Sequence, residues 1–130
     1  MSELTCLELS VALWLVHVLV QASVGNVTLP FGYLFTSRDR PVATSGVLYG
    51  RATRALGNYV ENLTPFVALA LALIVTQRTG GSGALGATIW IVARIIYIPL
   101  YLFGVIYART AAWTISIVGL VMMLWRLVGW

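Results

Sequence analysis

Cysteine is nearly absent from this chain: Cys6 stands alone, which excludes a disulfide within the chain and any zinc site built from several thiolates. Charge is scarce as well. Only 9% of the 130 residues are Asp, Glu, Lys or Arg and 60% are hydrophobic, whereas soluble domains carry about 25% charged residues. Such a chain cannot cover a water-facing globule, so a soluble enzyme, a disordered segment and a multidomain plan are all excluded. Lysine is missing altogether. The eight basic residues are all arginine and stand singly between apolar runs, so the net charge of +4 does not form a nucleic-acid patch. Histidine occurs once, as His17, with no second His, Cys or carboxylate beside it. It therefore reads as an internal hydrogen-bonder rather than a metal ligand, and a two-histidine haem would need an oligomer axis through it. No serine stands at a strained elbow beside Asp39 and His17, so a Ser/His/Asp triad has no placement. Gly80-Gly81-Ser82-Gly83 lacks a lysine and reads as a turn rather than a phosphate loop. No repeat relates two halves of the chain, as an inverted-repeat transporter would require.

What the chain has instead is long apolar runs. A membrane helix needs ~20 mostly apolar residues, and four such spans are expected at about residues 7–24, 55–76, 84–107 and 111–129. Together they form one domain over residues 1–130, an all-α integral membrane four-helix bundle, with a loop at about 25–54 marked by Pro30, Gly32 and Arg38-Asp39-Arg40-Pro41. The first run opens with Glu3 and Glu8 rather than a basic segment, so it is read as a retained span and not a cleaved signal. Pro99 is expected to kink the third span without ending it. Trp113, Trp125 and Trp130 fall where an aromatic belt belongs, and Arg126 can snorkel. Arg38, Arg40, Arg51, Arg54 and Arg109 lie on one side. By the positive-inside rule that side is cytoplasmic, with both termini facing away from it.

The anomalies are polar residues within the spans. Around Arg51-Ala-Thr-Arg54-Ala-Leu-Gly-Asn58-Tyr-Val-Glu61-Asn62, the residues Arg51, Arg54, Asn58, Glu61 and Asn62 share a stripe of roughly 100° on the second helix. Arginines at the interface and asparagines bonding helices together are ordinary in membrane proteins. Glu61 is not, since a carboxylate inside an apolar run costs ~2.5–3.5 kcal/mol or more without a partner. On the third helix Arg94, Tyr97, Tyr101 and Gly104 again share one stripe, with Pro99 opposite. Glu61 is the one acidic residue in a span that could neutralise Arg94, so a pair between them is expected, within a subunit or across two. The exclusive use of arginine suits bidentate recognition of carboxylates and hints at an anionic partner that bears them.

Extended through Leu-Thr-Pro65-Phe66, the second-helix segment closely resembles the signature of the MAPEG superfamily, membrane-associated proteins in eicosanoid and glutathione metabolism. Ala93-Arg94-Ile-Ile-Tyr97-Ile-Pro-Leu-Tyr101 is similar to the family's third-helix segment. The resemblance extends over almost the whole chain, and with the Arg38-Asp39 loop it looks most like the short bacterial members of microsomal glutathione transferase type, hence a bacterial inner membrane. It implies a homotrimer in the lipid bilayer with glutathione, as co-substrate and without metal, bound between subunits at the cytoplasmic helix ends. Arg54, Asn58 and Glu61 match family positions that hold the tripeptide, Glu61 its α-amine and Arg54 a carboxylate. Tyr97 and Tyr101 match pocket aromatics, and Arg38 a loop arginine that assists. Arg51, Asn62, which stands where some members carry an aromatic, and Arg94 join the binding set. Arg109 follows the third helix close to where the family places the guanidinium that stabilises the thiolate, and is the expected catalytic residue.

Three readings follow in order: a glutathione-dependent transferase or peroxidase acting on lipophilic small molecules, a non-catalytic relative that binds lipid or thiol, and a small drug/proton antiporter. The last is the poorest, because Arg54 and Arg94 would repel a cationic substrate.

Overall fold

The computed structural model describes residues 1–30, 32–37, 39 and 47–129, so Arg38, Arg40 and Trp130 lie outside the described residues. The described residues form four helices, α1 (Glu3–Thr28), α2 (Leu48–Val75), α3 (Gly81–Phe103) and α4 (Ile106–Val128), with a short 3-10 turn at Tyr33–Phe35. At ~1.5 Å per residue they run about 35–42 Å, beyond the ~30 Å hydrocarbon core of a bilayer. All four are long and apolar enough to cross a membrane.

The helix ends depart from the expected spans for local reasons. α1 starts earlier because Ser2 caps it, its Oγ accepting from the Thr5 N–H at 3.1 Å. α2 begins at Leu48 rather than near Ala55, taking in Arg51 and Arg54. Hydropathy falls where those arginines begin, yet arginine and alanine are strong helix formers and the helix continues out of the apolar zone. α3 stops at Phe103, short of the expected Tyr107, because Gly104 adopts φ +76. The Gly104 N–H then bonds the Tyr101 carbonyl at 3.2 Å and the Val105 N–H the Leu100 carbonyl at 2.9 Å, which closes a Schellman motif. Hydropathy could not place this turn, since Val105, Ile106 and Ala108 stay apolar through it. Pro99 lies inside α3 with its ring exposed, and the helix runs through it.

The exterior is apolar, with Leu4, Val11, Leu19, Val121 and Trp125 facing outward as lipid requires. With no hydrophobic drive between helices in lipid, cohesion depends on close packing. Phe66 of α2 and Trp90 of α3 stack with ring centroids 3.9 Å apart and planes 5° from parallel. α3 and α4 approach backbone to backbone at Gly86 and Gly119. A methyl group added at Gly119 would lie 2.6 Å from the Gly86 carbonyl oxygen and 3.0 Å from the Trp90 backbone nitrogen. Gly119→Val should therefore force the two helices apart, at about 1–3 kcal/mol or more. Thermal unfolding in detergent checks this, and an unchanged midpoint would refute the contact.

At the opposite end from Gly104, Glu3 is buried and its Oε1 accepts the Gly80 N–H at 2.8 Å, so the first turn of α1 caps the start of α3. Arg126 does not simply snorkel: its Nε donates to the Arg78 carbonyl at 3.1 Å, while Arg78 donates to the Leu127 carbonyl. These bonds tie the α2–α3 turn to the end of α4.

Candidate functional site

At the α3–α4 elbow a cavity of about 250 Å³ is lined by Asn58, Tyr97, Tyr101, Arg109, Thr110 and Trp113. Its walls follow from helical spacing. Tyr97 and Tyr101 are one turn apart on the inward face of α3, their rings 5.4 Å apart. Because α3 ends at Gly104, Arg109 is not in a loop after the third helix but in the first turn of α4, where its N–H bonds the Val105 carbonyl at 3.2 Å. From there Arg109 and Trp113, at i and i+4, face the same side. The Arg109 guanidinium carbon lies 4.7 Å from the centre of the Tyr101 ring, a cation–π contact that leaves its N–H groups at the cavity.

Behind this cavity sits Arg94, 1% exposed. Its Nη1 donates to Asn58 Oδ1 at 2.8 Å, and its guanidinium lies 5.3 Å from the Tyr97 ring and 5.9 Å from the Trp90 ring. Among the described residues, Nε and Nη2 of Arg94 have no hydrogen-bond partner. An arginine can only donate, so the contact fixes Asn58 Oδ1 on Arg94 and leaves the Asn58 NH₂ for the cavity side. This corrects the expected pairing of Arg94 with Glu61 within one subunit. Glu61 is exposed on the outer flank of α2, and among the described residues no ion pair joins it to Arg94.

The α2 stripe is real but straddles a boundary. Taken around the helix in the order Glu61, Arg54, Asn58, Arg51, Asn62, it passes from exposed through half-buried to buried. Only Asn58 reaches the cavity of the same chain. Asn62 turns inward and donates from Nδ2 to the Asn58 carbonyl at 2.9 Å. Arg51 reaches the end of α3, where its Nη1 donates to the Leu102 carbonyl at 3.1 Å. Arg54 and Glu61 face outward. Of the residues expected in the site, the structure thus brings together Asn58, Tyr97, Tyr101 and Arg109, with Arg94 behind them, and does not bring Arg51, Arg54, Glu61 and Asn62 into the same cavity. Arg38 lies outside the described residues.

Thr110 and Trp113 line the cavity without having been expected there. The one signal was the i, i+4 spacing of Arg109 and Trp113, which placing Arg109 in a loop concealed. His17 is an internal hydrogen-bonder: Nδ1 donates to the Leu13 carbonyl at 2.9 Å, and the ring stacks on Tyr59 at 4.3 Å. Among the described residues no three His, Cys, Asp or Glu side chains gather to hold a metal. On the other flank of the α3–α4 hairpin, a groove of about 520 Å³ lined by residues such as Ile89, Ile96, Leu100, Ala108 and Ile115 offers apolar contact but no ionisable group.

Chemically, the cavity offers one guanidinium, two phenols, an amide, a threonine hydroxyl and an indole, which suits a polar, anionic guest at the edge of the apolar zone. A search of curated proteins returns no match to the chain. Residues 7–129, by contrast, match the MAPEG family. The match spans all four membrane-length helices and every described wall of the cavity, and on it the chain belongs to the MAPEG family, membrane proteins of eicosanoid and glutathione metabolism.

Proposed function

We propose that this chain is a glutathione-dependent membrane transferase or peroxidase that conjugates or reduces lipophilic electrophiles, serving detoxification in a bacterial inner membrane with both termini away from the cytoplasm. The observation that carries the reading is the Arg109 guanidinium lying on Tyr101 at the mouth of a polar cavity built by three helices.

The chemistry needs a thiolate. A thiol with pKa near ~8.5 is mostly protonated at neutral pH, and a guanidinium at contact distance favours the charged form. A lowering by two units corresponds to ~2.7 kcal/mol. The thiol proton passes to water, the sulfur lone pair forms a bond to the electrophilic carbon, and a leaving group such as chloride departs with its bonding electrons. With a hydroperoxide, sulfur attacks the O–O bond, the alcohol leaves with a proton, and a second glutathione reduces the sulfenic product to the disulfide and water. Asn58, Tyr97, Tyr101, Thr110 and Trp113 orient the peptide beside Arg109. The lipophilic partner arrives from the bilayer.

In this proposal the assembly is a homotrimer. Arg54 and Glu61 are exposed on a membrane-length helix, where lipid contact with a carboxylate costs ~2.5–3.5 kcal/mol or more. A neighbouring copy that covers this edge brings Arg54 to a carboxylate of the peptide and Glu61 to its α-amine, with Arg38 assisting. Arg51, Asn62 and Arg94 hold the walls instead of touching the guest. Family membership favours this reading over the antiporter.

The test is calorimetric titration of glutathione into the purified protein in mild detergent, with native mass spectrometry of the same sample. Saturable binding to a trimer is expected. A clean monomer or dimer overturns the assembly, and the absence of any binding heat overturns the function. Binding without thiolate or product would replace the enzyme by a non-catalytic thiol-binding relative.

A further inference from the structure

We infer that Arg51 is a positioning residue: it clamps the C-terminal end of α3 and thereby sets where Arg109 enters the polar cavity. Its effect on thiolate chemistry rests on the function proposed above, whereas the clamp itself does not.

The end of α3 shows why a clamp is needed. A helix leaves its last carbonyls without intrahelical partners and concentrates partial negative charge there. The last turn of α3 has no basic residue of its own. Three of its last four carbonyls are satisfied one by one: Leu100 by the Val105 N–H at 2.9 Å, Tyr101 by the Gly104 N–H at 3.2 Å, and Leu102 by Arg51 Nη1 at 3.1 Å. The third donor comes from a different helix, so α2 is fastened to the elbow by a cation placed where the helix dipole favours one. The guanidinium also lies flat against Gly104. A methyl group at that position would meet Nη2 at 2.7 Å, Cζ at 2.8 Å and Nη1 at 2.9 Å. Glycine at 104 is called for by its φ of +76, and the Arg51 guanidinium fills the space beside it that a side chain would otherwise enter.

The elbow is also the base of the proposed thiolate-stabilising group. Val105 follows Gly104 in extended conformation, α4 begins at Ile106, and the Arg109 N–H bonds the Val105 carbonyl at 3.2 Å. A single helical turn therefore separates the clamp from Arg109, and any shift of the elbow carries Arg109 off the Tyr101 ring on which it rests at 4.7 Å. Arg51 and Asn58 are two turns apart on α2, so one rigid helix sets both the clamp and the opposite wall of the cavity.

The experiment compares the parent with Arg51→Ala, Arg51→Lys and Gly104→Ala as full-length protein in detergent, with two independent readouts. The first is amide hydrogen exchange over residues 100–109. Exchange there is expected to speed up about tenfold or more in Arg51→Ala, with the middle of α2 unchanged, and by less in Arg51→Lys, which keeps the charge and one donor but cannot cover Gly104. The second splits binding from turnover. Arg51→Ala and Gly104→Ala should bind glutathione within ~3-fold of the parent while kcat and thiolate absorbance fall about tenfold or more. Unchanged exchange at the elbow overturns the clamp. Glutathione affinity falling tenfold with kcat preserved overturns the positioning role and makes Arg51 a ligand. Should the parent bind no glutathione, the proposed function fails, and exchange alone still decides the clamp. Arg51→Lys, which keeps the charge and a donor and leaves the Gly104 backbone untouched, keeps both readouts open if Arg51→Ala does not fold.

Discussion

Arg109→Ala is expected to lower turnover by about 10²-fold or more while leaving glutathione affinity within a few-fold of the parent. Arg109 stands at the cavity mouth, stacked on Tyr101 and available to a sulfur, whereas the rest of the cavity wall, Asn58, Tyr97, Thr110 and Trp113, is untouched by its removal. A guanidinium that favours a thiolate acts on a charge the ground-state thiol lacks, so its loss falls on rate and on thiolate population rather than on binding. Arg54→Ala should do the reverse and weaken binding first, since Arg54 is exposed on the outward edge of α2, remote from the sulfur in the proposed arrangement. The measurement is ultraviolet thiolate absorbance together with turnover of a chlorinated aromatic acceptor, for the parent and both variants. Normal turnover by Arg109→Ala would reduce the residue to a topology signal.

Asn58→Leu is expected to destabilise the fold by on the order of 3 kcal/mol. Arg94 is 1% exposed, and among the described residues its Nε and Nη2 lack hydrogen-bond partners and Asn58 Oδ1, at 2.8 Å, is the one acceptor its guanidinium finds. Leucine would leave a buried cation with no acceptor. Asn58→Asp should preserve or improve stability by supplying a carboxylate at the same place. Glu61→Gln should move the melting point of the detergent-dissociated subunit little, because Glu61 is exposed and does not neutralise Arg94. A double variant, Asn58→Leu with Arg94→Leu, should recover much of the loss, since removing both partners of a buried polar pair costs less than removing one. If Asn58→Leu melts with the parent while Glu61→Gln does not, the assignment of Arg94's partner is wrong.

Periodicity proved a reliable guide to which residues share a face and a poor one to where that face points. On α3 the stripe of Arg94, Tyr97 and Tyr101 is the inward face, because its neighbours Trp90, Ala87 and Gly86 lie on it and pack the bundle. On α2 the equally regular stripe of Arg51, Arg54, Asn58, Glu61 and Asn62 runs along the edge of the packed face, so its members divide among a cap, a wall, an interior bond and an open flank. Spacing measures angle about a helix axis; the rotation of that helix against its neighbours is set by how side chains such as Phe66 and Trp90 interlock.

By itself, the sequence determined that lipid is this protein's solvent, that four helices of membrane length cross it, and that ionisable side chains on the second and third of them must serve something other than solubility. It did so because apolar runs and 3.6-residue periodicity are local properties, legible without neighbours. Only the tertiary structure decided that Asn58, not Glu61, holds Arg94, that Arg51 belongs to the end of α3, and that Thr110 and Trp113 join Arg109 in one cavity. The last two turn on a single glycine at φ +76 between two apolar segments, and all three on contacts between residues far apart in the chain. No local pattern encodes such contacts, because their energies exist only after the helices have packed.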